Sequence, residues 1–131
     1  MFAINPTDPA PIWRQIEDGV RRLIALGALQ PGAGVPSVRD LARDLRVNPN
    51  TVARAYQSLT DAGVLSVKRG EGTFVSDSQP HTRKAERNEM LREGANRYAG
   101  TVITTGATVE DAVGELESSY QRLVRELRRK A

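Results

Sequence analysis

Between Pro36 and Leu59 the chain reads PSVRDLARDLRVNPNTVARAYQSL, and this stretch leaves few folds open. Ser37 stands where a helix N-cap is expected, and Val38, Leu41, Ala42 and Leu45 then share one face of a helix of under three turns. The residues Arg46, Val47 and Asn48 make a tight connection. Asn48 is a second N-cap, and Pro49 fits the first helical position, where its missing N–H costs nothing. Val52, Ala55, Tyr56 and Leu59 form a second buried stripe, and Gly63 stands just past the last turn. Two short helices that meet across three or four residues form a helix-turn-helix.

The flanking segments complete a winged helix. From Pro11 to Leu29 the apolar residues Ile12, Ile16, Val20, Leu23 and Ile24 recur at helical spacing, and LQPGAGVPS ends that helix with Pro and Gly. After the helix-turn-helix, Leu65 and Val67 alternate with polar residues, RGEG turns, and Thr73 to Val75 return as the second strand of a hairpin. Ser76 to Arg83 is polar, contains a Pro and reads as a hinge. Two helical patterns follow, the first with Leu91, Ala95, Tyr98 and Val102 on one face. The second starts at Thr108 and Asp111, close to a capping box, and repeats Val109, Val113, Leu116, Tyr120, Leu123 and Leu127 at three- and four-residue steps. The expected fold is mostly α with a small β-hairpin: an N-terminal winged helix-turn-helix over residues 1–76 and a C-terminal two-helix dimerisation segment over 77–131. Its dimerisation residues are Leu91, Tyr98, Val102, Val109, Val113, Leu116, Tyr120, Leu123 and Leu127.

Composition narrows the function classes. The 131 residues contain no Cys, which excludes a disulfide framework and a thiolate metal site. No stretch approaches the ~20 apolar residues of a membrane span, and the N-terminus lacks a basic region followed by an apolar run, so a cytoplasmic protein is expected. The single His81 lies in the hinge without an evident partner, and the carboxylates are scattered through charged helices. RGEGTF lacks the strand–Gly–helix setting and the Lys of a phosphate loop. Neither an enzyme nor a cofactor or metal site is expected. The net charge of +3 permits a polyanionic partner without requiring one.

The start of the second helix points to that partner. Helical periodicity turns Val52, Ala55, Tyr56 and Leu59 inward and leaves Asn50, Thr51, Arg54 and Gln57 on the outer face. In a helix-turn-helix this end enters the major groove, where Asn pairs with adenine, Arg with guanine and a Thr methyl meets the thymine methyl. Free N–H groups and the positive dipole end favour phosphate there. No acid occurs between Arg46 and Thr60. Lys68, Arg69 and Gly70 at the hairpin tip suit phosphate or the minor groove, and Arg39 suits a phosphate that fixes orientation. The plainer alternatives are a capped helix start with an ordinary solvated face, a solubilising Lys-Arg pair, and a surface ion pair of Arg39 with a neighbour such as Asp40.

The run VPSVRDLARDLRVNPNTVARAYQSLTDAGVLSVKRGEGTFV resembles the DNA-binding domain of the GntR family of bacterial transcription regulators, with the match extending from Pro11 to Val75. The short two-helix tail is similar to the YtrA subfamily. The resemblance implies a dimeric, sequence-specific regulator of double-stranded DNA that acts as a repressor; pairing of two tails would give it a palindromic operator, and release by an unknown small-molecule effector stays open. By matching position it implies phosphate contacts at Ser37 and Arg39, base reading at Asn50 and Thr51, and approach of Arg69 and Gly70 to the minor groove. Other branches often place an Arg two residues after this Thr, where the chain has Ala53, with Arg54 next. The DNA-contacting set is therefore Ser37, Arg39, Asn48, Asn50, Thr51, Arg54, Lys68, Arg69 and Gly70, with Arg54 unsupported by the family pattern. Two other readings stay open at this level: a winged-helix protein-interaction module, and a sensor with a small molecule held between the C-terminal helices.

Overall fold

A computed structural model describes Met1–Pro80 and Lys84–Lys130. The last three residues of the expected hinge, including His81, lie outside the described residues. The order of elements is α1 (Ile12–Ala25), α2 (Val38–Leu45), α3 (Pro49–Asp61), β1 (Leu65–Lys68), β2 (Gly72–Val75), α4 (Lys84–Thr105) and α5 (Val109–Lys130). This is the mostly helical winged helix with a C-terminal helix pair that the spacing predicts. The chain divides into two units, Met1–Pro80 with Glu126–Ala131, and His81–Arg125.

In the first unit, α1 and α2 both pack on α3. Ile16, Val20 and Leu23 of α1, Leu41 of α2 and Val52, Ala55 and Leu59 of α3 are fully buried, and Val64, Leu65 and Val75 close the core from the hairpin. Burying a Leu, Ile or Val contributes roughly 1.5–3 kcal/mol each, so this shared core rather than helix propensity holds elements as short as α2. The N-terminus adds to it: Phe2 is buried against Gly19, where a Cβ would meet its ring at 2.7 Å. Leu127 is also buried and counts with this apolar cluster.

The helix starts follow the expected chemistry. Ser37 Oγ accepts from the Asp40 N–H at 3.1 Å, and Asn48 Oδ1 accepts from the Asn50 N–H at 2.8 Å, with Pro49 opening α3. At the other end of α3 the Val64 N–H donates back to Leu59 O at 2.9 Å, past a left-handed Gly63. The connection between α2 and α3 turns on Arg46, the one non-glycine residue with positive φ among those described (φ 57°). Helix α1 ends at Ala25, earlier than the apolar run to Leu29 predicts. The Ala28 N–H bonds to Leu23 O at 2.9 Å, which reverses the chain at Gly27 and lets Ala28 and Leu29 pack on the core without helix.

The strands β1 and β2 are antiparallel with Leu65 opposite Val75 and Lys68 opposite Gly72. A third strand segment, absent from the sequence expectation, lies along β2: Val35 N–H bonds to Thr73 O at 3.0 Å, Val75 N–H to Ala33 O at 2.8 Å, and Gly34 bridges Phe74. The segment that ends α1 thus also covers an edge of the hairpin.

In the second unit, α4 and α5 form a helical hairpin. The Ala107 N–H bonds to Val102 O at 3.2 Å to close α4, and Thr108 and Asp111 form the capping box that opens α5, with the Asp111 N–H 3.1 Å from Thr108 Oγ1. The Tyr98 hydroxyl donates to Ala112 O at 3.0 Å and joins the two helices. No helix among the described residues is long and apolar enough to cross a membrane.

Candidate nucleic-acid interface

The buried stripe of α3 sets what remains outside. With Val52, Ala55, Tyr56 and Leu59 inward, Asn50 and Arg54 are exposed one turn apart and Thr51 is half-exposed beside them. Gln57 is exposed too, but its amide donates to Asp61 Oδ1 at 2.8 Å. The helix start is less rich in free donors than the sequence suggests. The cap takes the Asn50 N–H, and the Thr51 N–H bonds to Asn48 O at 2.9 Å, so side chains rather than backbone amides carry hydrogen-bonding capacity here. The helix dipole remains. Capping engages one lone pair of the Asn48 side-chain oxygen and leaves its –NH2 group free to donate, and it leaves the Ser37 hydroxyl its proton for an acceptor.

Arg39 is exposed in the first turn of α2. Its neighbour Asp40 pairs instead with Arg43 at 3.3 Å, and Arg39 makes no ion pair among the described residues. Tyr56 holds the approach to α2, its hydroxyl donating to Pro36 O at 2.8 Å. Burial pushes this phenol well above its usual titration range, because the charged form would lose its water.

At the wing tip the Glu71 N–H closes a turn on Lys68 O at 2.9 Å, and Gly70 carries φ 79°, as the third position of a type II turn requires. A Cβ there would meet nothing within 4 Å, so the tip is open. Arg69 is exposed beside it. Lys68 lies back on the hairpin, its ammonium 4.7 Å from the centre of the Phe74 ring.

A second cation–aromatic pair joins helices. The Arg54 guanidinium lies 4.4 Å over the Trp13 ring of α1, and Arg14 stands at 5.9 Å from the same ring. Neither Trp13 nor Phe74 carries a sequence signal for such a contact, since an aromatic at the start of an amphipathic helix or inside a strand reads as core.

A helix-turn-helix with an outward polar helix start, followed by a basic hairpin, defines a winged-helix DNA-binding protein. The model of the bacterial regulatory proteins of the gntR family matches residues 13–75. The HTH-type transcriptional repressor YtrA of Bacillus subtilis is 37% identical over 93 residues, which are 71% of this chain and 72% of that protein. The chain belongs to the GntR family, whose members are DNA-binding transcription regulators rather than enzymes. Among solved structures, a transcriptional antiterminator from Listeria monocytogenes is similar along 95% of this chain and 92% of its own, at 28% identity and a TM-score of 0.71. The AraR DNA-binding domain in complex with operator ORX1 matches 56% of this chain and 90% of its own, at 25% identity and a TM-score of 0.51.

Proposed function

We propose that the chain is a homodimeric repressor that acts in the cytoplasm on a palindromic operator. In this reading Asn50, Thr51 and Arg54 meet base edges, Ser37, Arg39 and Asn48 meet phosphate, and the wing tip at Lys68, Arg69 and Gly70 approaches the minor groove. The observation that carries it is the division of α3, which buries its apolar stripe completely and leaves an acid-free polar start exposed. The repressor name of the Bacillus subtilis relative and the operator bound to the AraR domain support it.

Dimerisation is supported by the second unit. Val109, Val113, Leu116, Tyr120 and Leu123 recur at alternating four- and three-residue steps along α5 and are exposed, as are Met90, Leu91 and Ile103 of α4. Tyr98 and Val102 are half-buried within the hairpin, and Leu127 serves the core of the first unit, so these three members of the expected set have other partners while Leu91 and the α5 positions up to Leu123 stay exposed. A repeat of alternating three- and four-residue steps is the geometry of a helix–helix seam, and an isologous pairing covers two such stripes at once. Analytical ultracentrifugation with an operator duplex tests this reading. Two chains per duplex are expected; one chain bound at full affinity would contradict it.

A further inference from the structure

The contact of Arg54 with Trp13 combines two properties that a base reader needs. A guanidinium held over an aromatic face by its charge does not use up its N–H donors on a hydrogen-bond acceptor, so the fork can still offer them to an acceptor pair. The ring also removes rotamer freedom from a long side chain before any ligand arrives, which lowers the ordering cost of a later contact. At 4.4 Å the Arg54 guanidinium is well within the ~6 Å reach of a cation–π pair, whereas Arg14 at 5.9 Å is at its limit. Arg54 makes no ion pair among the described residues that would draw it elsewhere. It follows Asn50 by one turn on the exposed face of α3.

We propose that Trp13 is a positioning residue that presets Arg54 for bidentate recognition of guanine, making a residue of α1 a determinant of base specificity. This rests on the reading of α3 as the base-reading helix. It also supplies a reason why an Arg can read a base three residues after Thr51: support comes from the neighbouring helix rather than from α3 itself. The half-buried ring stays available, because its own anchoring comes from the core beneath it.

The experiment is a random-duplex binding selection on the full chain and on Arg54→Ala, Arg54→Lys, Trp13→Leu, Trp13→Phe and Asn50→Ala variants, with melting temperatures measured in parallel. Arg54→Ala is expected to lose a guanine preference of about tenfold or more at one position per half-site. Trp13→Leu should weaken the same position and no other, and should have no further effect in the Arg54→Ala background. Trp13→Phe keeps an aromatic face and should restore most of the preference, and Arg54→Lys keeps the charge but not the fork and should not. Trp13 is the single tryptophan of the chain, so its emission reports the stack directly; operator binding should change it in the wild type and less in Arg54→Ala. A Trp13→Leu variant that lowers melting temperature or affinity for all duplexes alike, with the guanine preference intact, would overturn the inference and leave a simple helix staple. An unaltered guanine preference in Arg54→Ala would overturn it too. If Asn50→Ala also left every base preference unchanged, the failure would belong to the reading of α3.

Discussion

The Tyr56 hydroxyl reaches from the buried face of α3 to the carbonyl of Pro36, 2.8 Å away, and so fixes α3 to the residue that precedes the α2 cap. One hydrogen bond therefore links the orientation of Asn50 and Thr51 to that of Ser37 and Arg39. Tyr56→Phe should cost about 0.5–1.5 kcal/mol, with the Pro36 carbonyl left short of a partner.

The same bond makes a pH prediction. The unfolded phenol ionises near ~10, and the folded one resists ionisation because it is buried. Above that pH the unfolded chain has released a proton that the folded chain keeps, so stability is complete below about pH 10 and falls as pH rises, by up to ~1.4 kcal/mol per unit for this group. Denaturant titrations of wild type and Tyr56→Phe between pH 8 and 11 should converge as pH rises; a constant offset would contradict the assignment.

Base reading and phosphate contact separate by their dependence on sequence and salt. Thr51→Ala and Asn50→Ala should each cost roughly 1–3 kcal/mol on the specific duplex and relax one position per half-site. Arg39→Ala should weaken all duplexes about equally and reduce the salt slope by about one unit. A changed sequence preference in Arg39→Ala, measured by competition titration at two salt concentrations, would reverse these assignments.

At the wing, the positive φ of Gly70 and the open space around it have different consequences. Gly70→Val strains the backbone even without DNA, so it mixes folding with binding. Gly70→Asn tolerates the left-handed conformation and should keep the melting temperature within a few degrees while its side chain holds the tip away from DNA. A binding isotherm for Gly70→Asn that overlays the wild type would show that the tip does not approach the duplex.

The tail is tested by substitution rather than by truncation, since removing α5 would also remove Leu127 from the first unit's core. Leu116→Glu with Tyr120→Glu alters two exposed positions on the α5 stripe. It should give a folded monomer that loses about two to four decades of operator affinity through lost bivalency. Sedimentation as an intact dimer would assign the stripe to another partner.

The sequence made local structure legible wherever a single side chain decides it. Asn48, Pro49 and Gly63 bound α3, Ser37 starts α2, and Thr108 with Asp111 starts α5, because caps act within a few residues. The end of α1 is not legible in the same way: Leu26 and Leu29 continue the apolar pattern, yet Leu26 is the C-cap and Leu29 packs on the core beyond a chain reversal at Gly27. The pairing of Gly34 with Phe74, the stack of Arg54 on Trp13 and the place of Leu127 are tertiary contacts between distant segments, and no local period encodes them. In the interface, the outward set on α3 was legible from the inward one, while the capping use of Asn48 and Ser37 divides their hydrogen bonds in a way that only geometry shows.

In the proposed complex two copies of α3 read a two-fold symmetric site. Selection of a random duplex library by the full-length wild-type chain measures this most directly. An inverted repeat whose half-site centres lie about one DNA turn (~34 Å), or a multiple of it, apart should be enriched. Enrichment of a single asymmetric element, or of no sequence at all, would contradict it.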